Sequence, residues 1–80
     1  MLTGSQVRVA RHALKWSSEK LAQKSGVSSR TIKRIESENG VPNSNTPTLS
    51  ALRLALEAAG IEFIGSPDDR PGIRIGKPPL

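Results

Sequence analysis

The stretch SSEKLAQKSGVSSRTIKRIES, residues 17–37, constrains the fold more than any other part of the chain. Ser17 is a favoured helix N-cap, and Glu19 lies in the first turn, where the helix dipole stabilises an acid. Gly26 accepts the left-handed conformation that ends many helices, and Ser28 can cap a second helix that runs to about residue 37. Two short helices joined by a tight, glycine-containing turn form a helix-turn-helix pattern.

The second of these helices has a polar, positively charged face. At about 100° per residue, its two isoleucines, Ile32 and Ile35, fall on one side. The opposite side carries the polar residues Ser29, Arg30, Lys33, Arg34 and Ser37. Three cations precede the first acid of this helix, Glu36, although an exposed helix face usually mixes both signs of charge. A negatively charged partner is therefore expected.

The positive charge of the chain is concentrated in its first half. The 80 residues include twelve Lys and Arg and seven Asp and Glu, which gives a net charge of +5. Residues 1–40 carry eight of these cations and three of the acids, so this half accounts for the whole excess. Such asymmetry favours a polyanionic partner, either nucleic acid or an anionic membrane surface.

Few residues are available for catalysis or metal binding. The chain has no Cys, no Tyr and a single His, His12, so it lacks a thiolate metal site and a nucleophile–base pair. We therefore expect no enzyme activity, no metal and no cofactor, with His12 on the surface. No stretch is apolar enough to be a signal peptide or to span a membrane, so a cytoplasmic location is expected.

Helix signals flank the helix-turn-helix pattern on both sides. Thr3 and Gln6 form a capping-box pattern that predicts a first helix over residues 4–15. Trp16 follows the end of this helix and is expected to pack in the core. Residues 37–47 are rich in Asn, Ser, Pro and Gly and predict a loop. Thr46 and Pro47 then suit the cap and first turn of a fourth helix that runs to Gly60.

The C-terminal part predicts a β-hairpin. Residues 61–65 and 72–76 alternate apolar and other side chains around a turn-rich segment. A hairpin alone is marginally stable, so it should pack on the fourth helix, which has an unusually wide apolar arc, or pair with a second copy. A homodimer is therefore expected, and its candidate interface residues are Leu54, Ile61, Phe63, Ile73 and Ile75. Residues 77–80 are expected to form a flexible tail.

Taken together, residues 6–60 resemble the Cro/C1-type (XRE-like) helix-turn-helix family of phage and bacterial repressors. The resemblance is carried by WSSEKLAQKSGVSSRTIKRIE, by the loop after it, and by PTLSALRLALEAAG. It implies a mainly α, lambda-repressor-like domain: a compact helix-turn-helix domain of four helices over residues 1–60, followed by the hairpin at 61–76.

The resemblance also implies which residues meet DNA. The third helix would lie in the major groove, with base contacts from Ser29, Arg30, Lys33 and Arg34, of which Lys33 could reach either a base or a phosphate. Arg30 is the strongest candidate because a guanidinium offers paired donors that match the O6 and N7 acceptors of guanine. Phosphate contacts would come from Ser17, Ser18, Ser28, Thr31, Asn39 and Asn43. A glutamine is common in the family at the position of Ser18, and the shorter serine departs from that pattern.

Two further residues match a structural pair of the family. Arg11 and Glu36 occupy positions at which a salt bridge joins the first helix to the third. Such a pair would orient the DNA-reading helix without contacting DNA.

The resemblance implies a sequence-specific, double-stranded DNA-binding transcriptional regulator, in particular a small dimeric repressor in the cytoplasm, associated with a bacterial or phage nucleoid. The alternative is an antitoxin that binds a toxin protein through its C-terminal part and represses its own operon. RNA or single-strand binding is disfavoured, because Trp16 and Phe63 are the only aromatic residues and cannot form a stacking platform.

Overall fold

The structure is a computed structural model that describes residues 2–42 and 44–76. Its elements are α1 (Gly4–Ala13), α2 (Ser18–Ser25), α3 (Ser29–Glu36), α4 (Thr46–Ala58), β1 (Ile61–Ser66) and β2 (Asp69–Ile75). The predicted fold, a mainly α helix-turn-helix domain of four helices followed by a β-hairpin, is confirmed. The predicted tail at residues 77–80 lies outside the described residues.

One apolar core joins all of these elements. Its buried members are Leu2, Val7, Ala10, Leu21, Ile32, Ile35, Leu49, Leu52, Leu56 and Ile61. Trp16 is half-buried against this core, as expected. Helix α3 packs on α1 and α2, whereas the hairpin packs on α1 and α4. The outer face of α3 is therefore left open.

Side-chain caps start the helices largely where the sequence predicts them. The amide of Gln6 donates to Thr3 Oγ1 at 3.0 Å, and the Thr3 amide donates back to Gln6 Oε1 at 3.0 Å, which completes the predicted capping box. Ser17 and Ser28 cap α2 and α3. Helix α4 is capped by Asn45 and not by the predicted Thr46, because Asn45 Oδ1 accepts the Thr48 amide at 3.0 Å.

Helix α1 ends two residues earlier than predicted. The amide of Trp16 donates to the carbonyl of Arg11 at 3.1 Å, and the amide of Lys15 donates to the carbonyl of His12 at 3.0 Å. These two hydrogen bonds form a Schellman motif, which needs a left-handed residue at Lys15, where φ is 58°. The sequence gives no signal for this end, because glycine usually occupies that position.

Replacing Lys15 by glycine is expected to stabilise the protein by about 0.5–1 kcal/mol, since glycine adopts positive φ without the steric cost that Lys15 bears. Chemical denaturation would measure the change. Lys20→Gly is the matched control, because Lys20 lies inside α2, where glycine should destabilise by about 1 kcal/mol. Equal destabilisation by both substitutions would contradict the prediction.

The hairpin has a shorter turn than predicted. Both strands extend towards it, so that Ser66 pairs with Asp69 across only two intervening residues. The register shifts between Ile64 and Ser66, and there Gly65 and Arg70 both have positive φ, of 78° and 48°. A bulge next to a tight turn accounts for the longer strands.

A buried glutamine holds the hairpin against α1. The Nε2 atom of Gln6 donates to the carbonyls of Ile64 at 3.1 Å and Gly72 at 2.8 Å, one on each strand. On α4, the guanidinium of Arg53 lies 5.7 Å from the centroid of the Phe63 ring. The hairpin therefore packs beside Arg53 and leaves Leu54 of α4 67% exposed.

Candidate nucleic-acid interface

Helix α3 turns its cations outward. Ile32 and Ile35 are 0% and 1% exposed, whereas Arg30, Lys33 and Arg34 are exposed and Ser29 is half-buried. We call Ser29, Arg30, Lys33 and Arg34 the reading face. Within residues 2–42 and 44–76, no ion pair or hydrogen bond occupies the side chains of Arg30 or Arg34. Both guanidinium groups are therefore available to an external acceptor.

The Arg11–Glu36 pair fixes the last turn of α3 to α1. Arg11 Nε and Nη2 donate to the two carboxylate oxygens of Glu36, each at 2.8 Å, and Arg11 Nη1 donates to the carbonyl of Trp16 at 2.8 Å. The two side chains are only 13% and 8% exposed. The hydrogen bond to Glu36 raises the pKa of Arg11 above its ordinary value, although partial burial opposes this shift. The pair has the geometry that the family resemblance implies.

Arg8 also holds the end of α3, a role that no sequence pattern predicted. Its Nη1 donates to the backbone carbonyl of Glu36, and its Nη2 donates to Asn39 Oδ1 at 2.9 Å. A cation at the C-terminus of a helix satisfies a carbonyl that lacks a partner within the helix. The side-chain nitrogen of Asn39 remains available to donate, which suits the phosphate contact predicted for this residue. Only the three-residue spacing from Arg8 to Arg11 could have indicated a shared face.

Gly4 brings the start of α1 against the loop that follows α3. Its amide donates to the carbonyl of Gly40 at 2.9 Å. A methyl group on Gly4 would overlap the backbone carbonyl oxygens of Ile35 and Glu38. We call Gly4, Arg8, Arg11 and Glu36 the α1–α3 contact. This contact holds α3 and the following loop at a fixed distance from α1.

The hydroxyl groups predicted to contact phosphate are partly engaged within the protein. Ser28 Oγ accepts a hydrogen bond from the Thr31 amide at 3.2 Å and donates its own hydrogen to Thr31 Oγ1 at 2.9 Å. The Ser28 hydroxyl therefore has no hydrogen left for phosphate, whereas the Thr31 hydroxyl can still donate one. Ser17 Oγ accepts the Lys20 amide at 3.0 Å and keeps its own hydrogen. Ser18 is half-buried at the start of α2. Asn43 lies outside the described residues.

Glu19 and Lys33 form an ion pair across the helix-turn-helix. Lys33 Nζ lies 3.6 Å from Glu19 Oε2, and both side chains are well exposed, at 64% and 68%. The pair shows that the first turn of α2 and the reading face are neighbours. No sequence pattern predicts this pair, because the two residues lie on different helices and no periodicity connects them.

The residues predicted for a dimer interface do not form one exposed set. Leu54 and Ile75 are 67% and 65% exposed, whereas Ile61 is 3% exposed and belongs to the core of its own chain. Phe63 and Ile73 are half-buried against that core. Ile61 is therefore not available to a partner, and the candidate interface narrows to Leu54 and Ile75 with the outer edges of Phe63 and Ile73.

The described residues contain no group of three or more His, Cys, Asp or Glu side chains that could hold a metal ion. His12 is exposed. Among the helices described, none is long and apolar enough to cross a membrane.

Comparison of the chain with models of known protein families, with curated proteins and with solved structures finds no match. The resemblance to Cro/C1-type regulators therefore rests on the residues of this chain alone and stays a prediction.

Proposed function

We propose that the protein is a sequence-specific, double-stranded DNA-binding transcriptional regulator of the Cro/C1 type that reads the major groove with α3. One observation carries this proposal: the short helix α3 has a buried isoleucine face and an exposed face with two guanidinium groups that have no partner among the described residues. Within the part of the chain that the structure describes, hydrogen bonds account for Arg8 and Arg11 but not for Arg30 and Arg34.

The dimensions of α3 suit the major groove. An α-helix with its side chains is about 10–12 Å across, and the major groove of B-DNA, about 12 Å wide, admits it. Arg30 lies in the first turn, at the end that helix-turn-helix proteins direct towards base edges. Its guanidinium can donate two parallel hydrogen bonds to guanine, which discriminates guanine from the other bases.

The α1–α3 contact supports the proposal because a base-reading helix must be held in one orientation. Direct readout depends on hydrogen bonds of about 2.7–3.2 Å, so that a small tilt of α3 would misplace its donors. Arg8 and Arg11 fix the C-terminal end of α3, and the two buried isoleucines fix its inner face. Both constraints leave the reading face open.

A homodimeric repressor in the cytoplasm is the form we propose for this regulator. A second copy would cover the exposed side chains of Leu54 and Ile75 and would place two reading faces on half-sites about 34–36 Å apart. The same two side chains suit a toxin partner, the alternative role of an antitoxin. Sedimentation of the pure chain would show self-association, whereas co-purification of a second chain from the native host would favour the antitoxin.

Selection of bound duplexes from a random pool, followed by sequencing, tests the proposed function. We expect a palindromic sequence to be enriched, because a two-fold symmetric dimer reads the same bases in each half-site. Binding to the winning duplex should weaken steeply with added salt, since phosphate contacts release counterions. Recovery of the starting pool without enrichment would overturn sequence-specific recognition.

Replacing Arg30 by alanine is expected to weaken binding to the selected duplex by about 1–3 kcal/mol, roughly 5- to 150-fold, and to relax the preference at one base position in each half-site. Fluorescence anisotropy with the winning duplex and its single-base variants would measure both effects. Arg70→Ala is the matched control, because Arg70 has the same charge in β2, beside the hairpin turn, and its side chain is 93% exposed. Equal losses in the two variants would show that Arg30 contributes only charge.

A further inference from the structure

Glu19 is an acid that lies beside the basic reading face. It is the only Asp or Glu among residues 1–35, a segment with eight Lys and Arg. It lies in the first turn of α2, and its carboxylate is 3.6 Å from the ammonium group of Lys33 on the reading face. In the proposed complex, this carboxylate would therefore lie among phosphates.

Stability does not explain this pair well. Both side chains are about two-thirds exposed, and ion pairs with such exposure contribute little to folding. An acid in the first turn of α2 also interacts favourably with the helix dipole, but that interaction does not require Lys33 to lie beside it. A weak, exposed pair can open at little cost, so Lys33 can exchange the Glu19 carboxylate for a DNA acceptor.

The two kinds of DNA complex would respond differently to such a pair. Binding to arbitrary duplex depends almost entirely on contacts between cations and phosphates. Binding to a preferred site adds base-edge hydrogen bonds, which Glu19 does not affect when they come from Arg30. These added bonds hold α3 in the groove, where Lys33 can exchange the Glu19 carboxylate for a DNA acceptor at a fixed position. Arbitrary duplex offers no such fixed position and leaves Lys33 paired with Glu19, so Glu19 weakens arbitrary binding by a larger factor.

We propose that Glu19 is a specificity-determining residue of the DNA interface, which restrains Lys33 and so limits binding to arbitrary sequences. This inference rests on the proposed function. It assigns to Glu19 a role in rejecting incorrect DNA, whereas Arg30 and Arg34 recognise the correct site.

The test compares Glu19→Gln with Glu62→Gln. Glu62 forms an exposed pair with Arg74 at 3.5 Å on the hairpin, so that both substitutions remove one negative charge and one exposed ion pair. Affinities for the selected duplex and for a scrambled duplex would be measured by anisotropy at several salt concentrations, and thermal melting would verify that both variants are folded.

For Glu19→Gln we expect scrambled-duplex affinity to rise about threefold or more, with a smaller rise for the selected duplex. The salt dependence for scrambled duplex should steepen by about 0.9 in logarithmic slope, as one more cation becomes available to phosphate. Glu62→Gln should change either affinity by less than about twofold. In a Lys33→Met background, Glu19→Gln should lose most of its effect, because the restrained cation is then absent.

The inference is overturned if Glu19→Gln behaves like Glu62→Gln, if it raises both affinities by the same factor, or if its effect persists undiminished without Lys33. A wild-type chain that binds no duplex, or binds all duplexes alike in the selection, would instead reject the proposed function. The two failures are therefore distinguished by which protein, wild type or variant, gives the unexpected result.

Discussion

Replacing Gly4 by alanine is expected to destabilise the protein by more than about 3 kcal/mol, a large fraction of the stability of a domain of this size. The added Cβ would overlap the backbone carbonyl oxygens of Ile35 and Glu38. A Cβ has no rotamer to relieve such an overlap, so α1 and the end of α3 must move apart. That movement would strain the hydrogen bonds from Arg8 and Arg11 to Glu36.

Helix propensity predicts the opposite sign for this substitution. Alanine is favoured over glycine in helices by up to about 1 kcal/mol, and Gly4 is the first residue of α1. A measured loss of stability would therefore report the close approach of α1 to α3. Urea denaturation followed by circular dichroism would measure it.

Gly40→Ala is the matched control for this prediction. Gly40 accepts the hydrogen bond from the Gly4 amide, but a Cβ on Gly40 would meet no atom within 4 Å. Its substitution should leave stability unchanged or raise it by up to about 1 kcal/mol, because alanine reduces the entropy of the unfolded chain. If Gly4→Ala unfolded at the same urea concentration as Gly40→Ala, the close packing of α1 on α3 would be wrong.

Local patterns in the sequence were sufficient to predict the elements of the fold. The Thr3–Gln6 capping box and the Ser17 and Ser28 caps each depend on residues three apart, which a sequence shows directly. Helical periodicity places Ile32 and Ile35 on one side of α3, and this pattern alone predicted that the opposite side, the reading face, is exposed. The strands were predicted for the same reason, from a period of two.

Features that depend on distant parts of the chain could not be predicted in this way. Arg8 donates to a backbone carbonyl 28 residues away. Every residue has such a carbonyl, so the sequence does not indicate which one a side chain will contact. Glu19 meets Lys33 only because the turn after α2 brings two helices together. Ile61 looked like an interface residue because an apolar strand residue can pack within its own chain or on a partner, and only the packing of the hairpin on α4 decides between them.

Replacing Arg11 by alanine is expected to cost about 3–5 kcal/mol of stability, since it leaves the carboxylate of Glu36, 8% exposed, without its charged partner. The carbonyl of Trp16 loses a donor in the same substitution. Thermal and urea denaturation would measure the loss.

Because the pKa of Arg11 is raised in the folded state, the contribution of the Arg11–Glu36 pair to stability is complete below the unfolded pKa of Arg11 and is lost only as the pH rises through the folded pKa. The wild-type protein should therefore show no loss from this pair in neutral or mildly alkaline solution.

Arg53→Ala is the matched control, because Arg53 pairs with Glu57 at 3.0 Å on the surface, where the side chains are 45% and 39% exposed. Its loss, which includes the contact with the Phe63 ring, should be no more than about 2 kcal/mol. The double variant Arg11→Met/Glu36→Met should recover much of the stability lost in Arg11→Ala, because apolar groups of similar size can replace a buried ion pair. Equal stability of Arg11→Ala and Arg53→Ala would show that the Arg11–Glu36 pair does not hold α3 in place, and the fixed orientation on which base reading depends would then lack its main support.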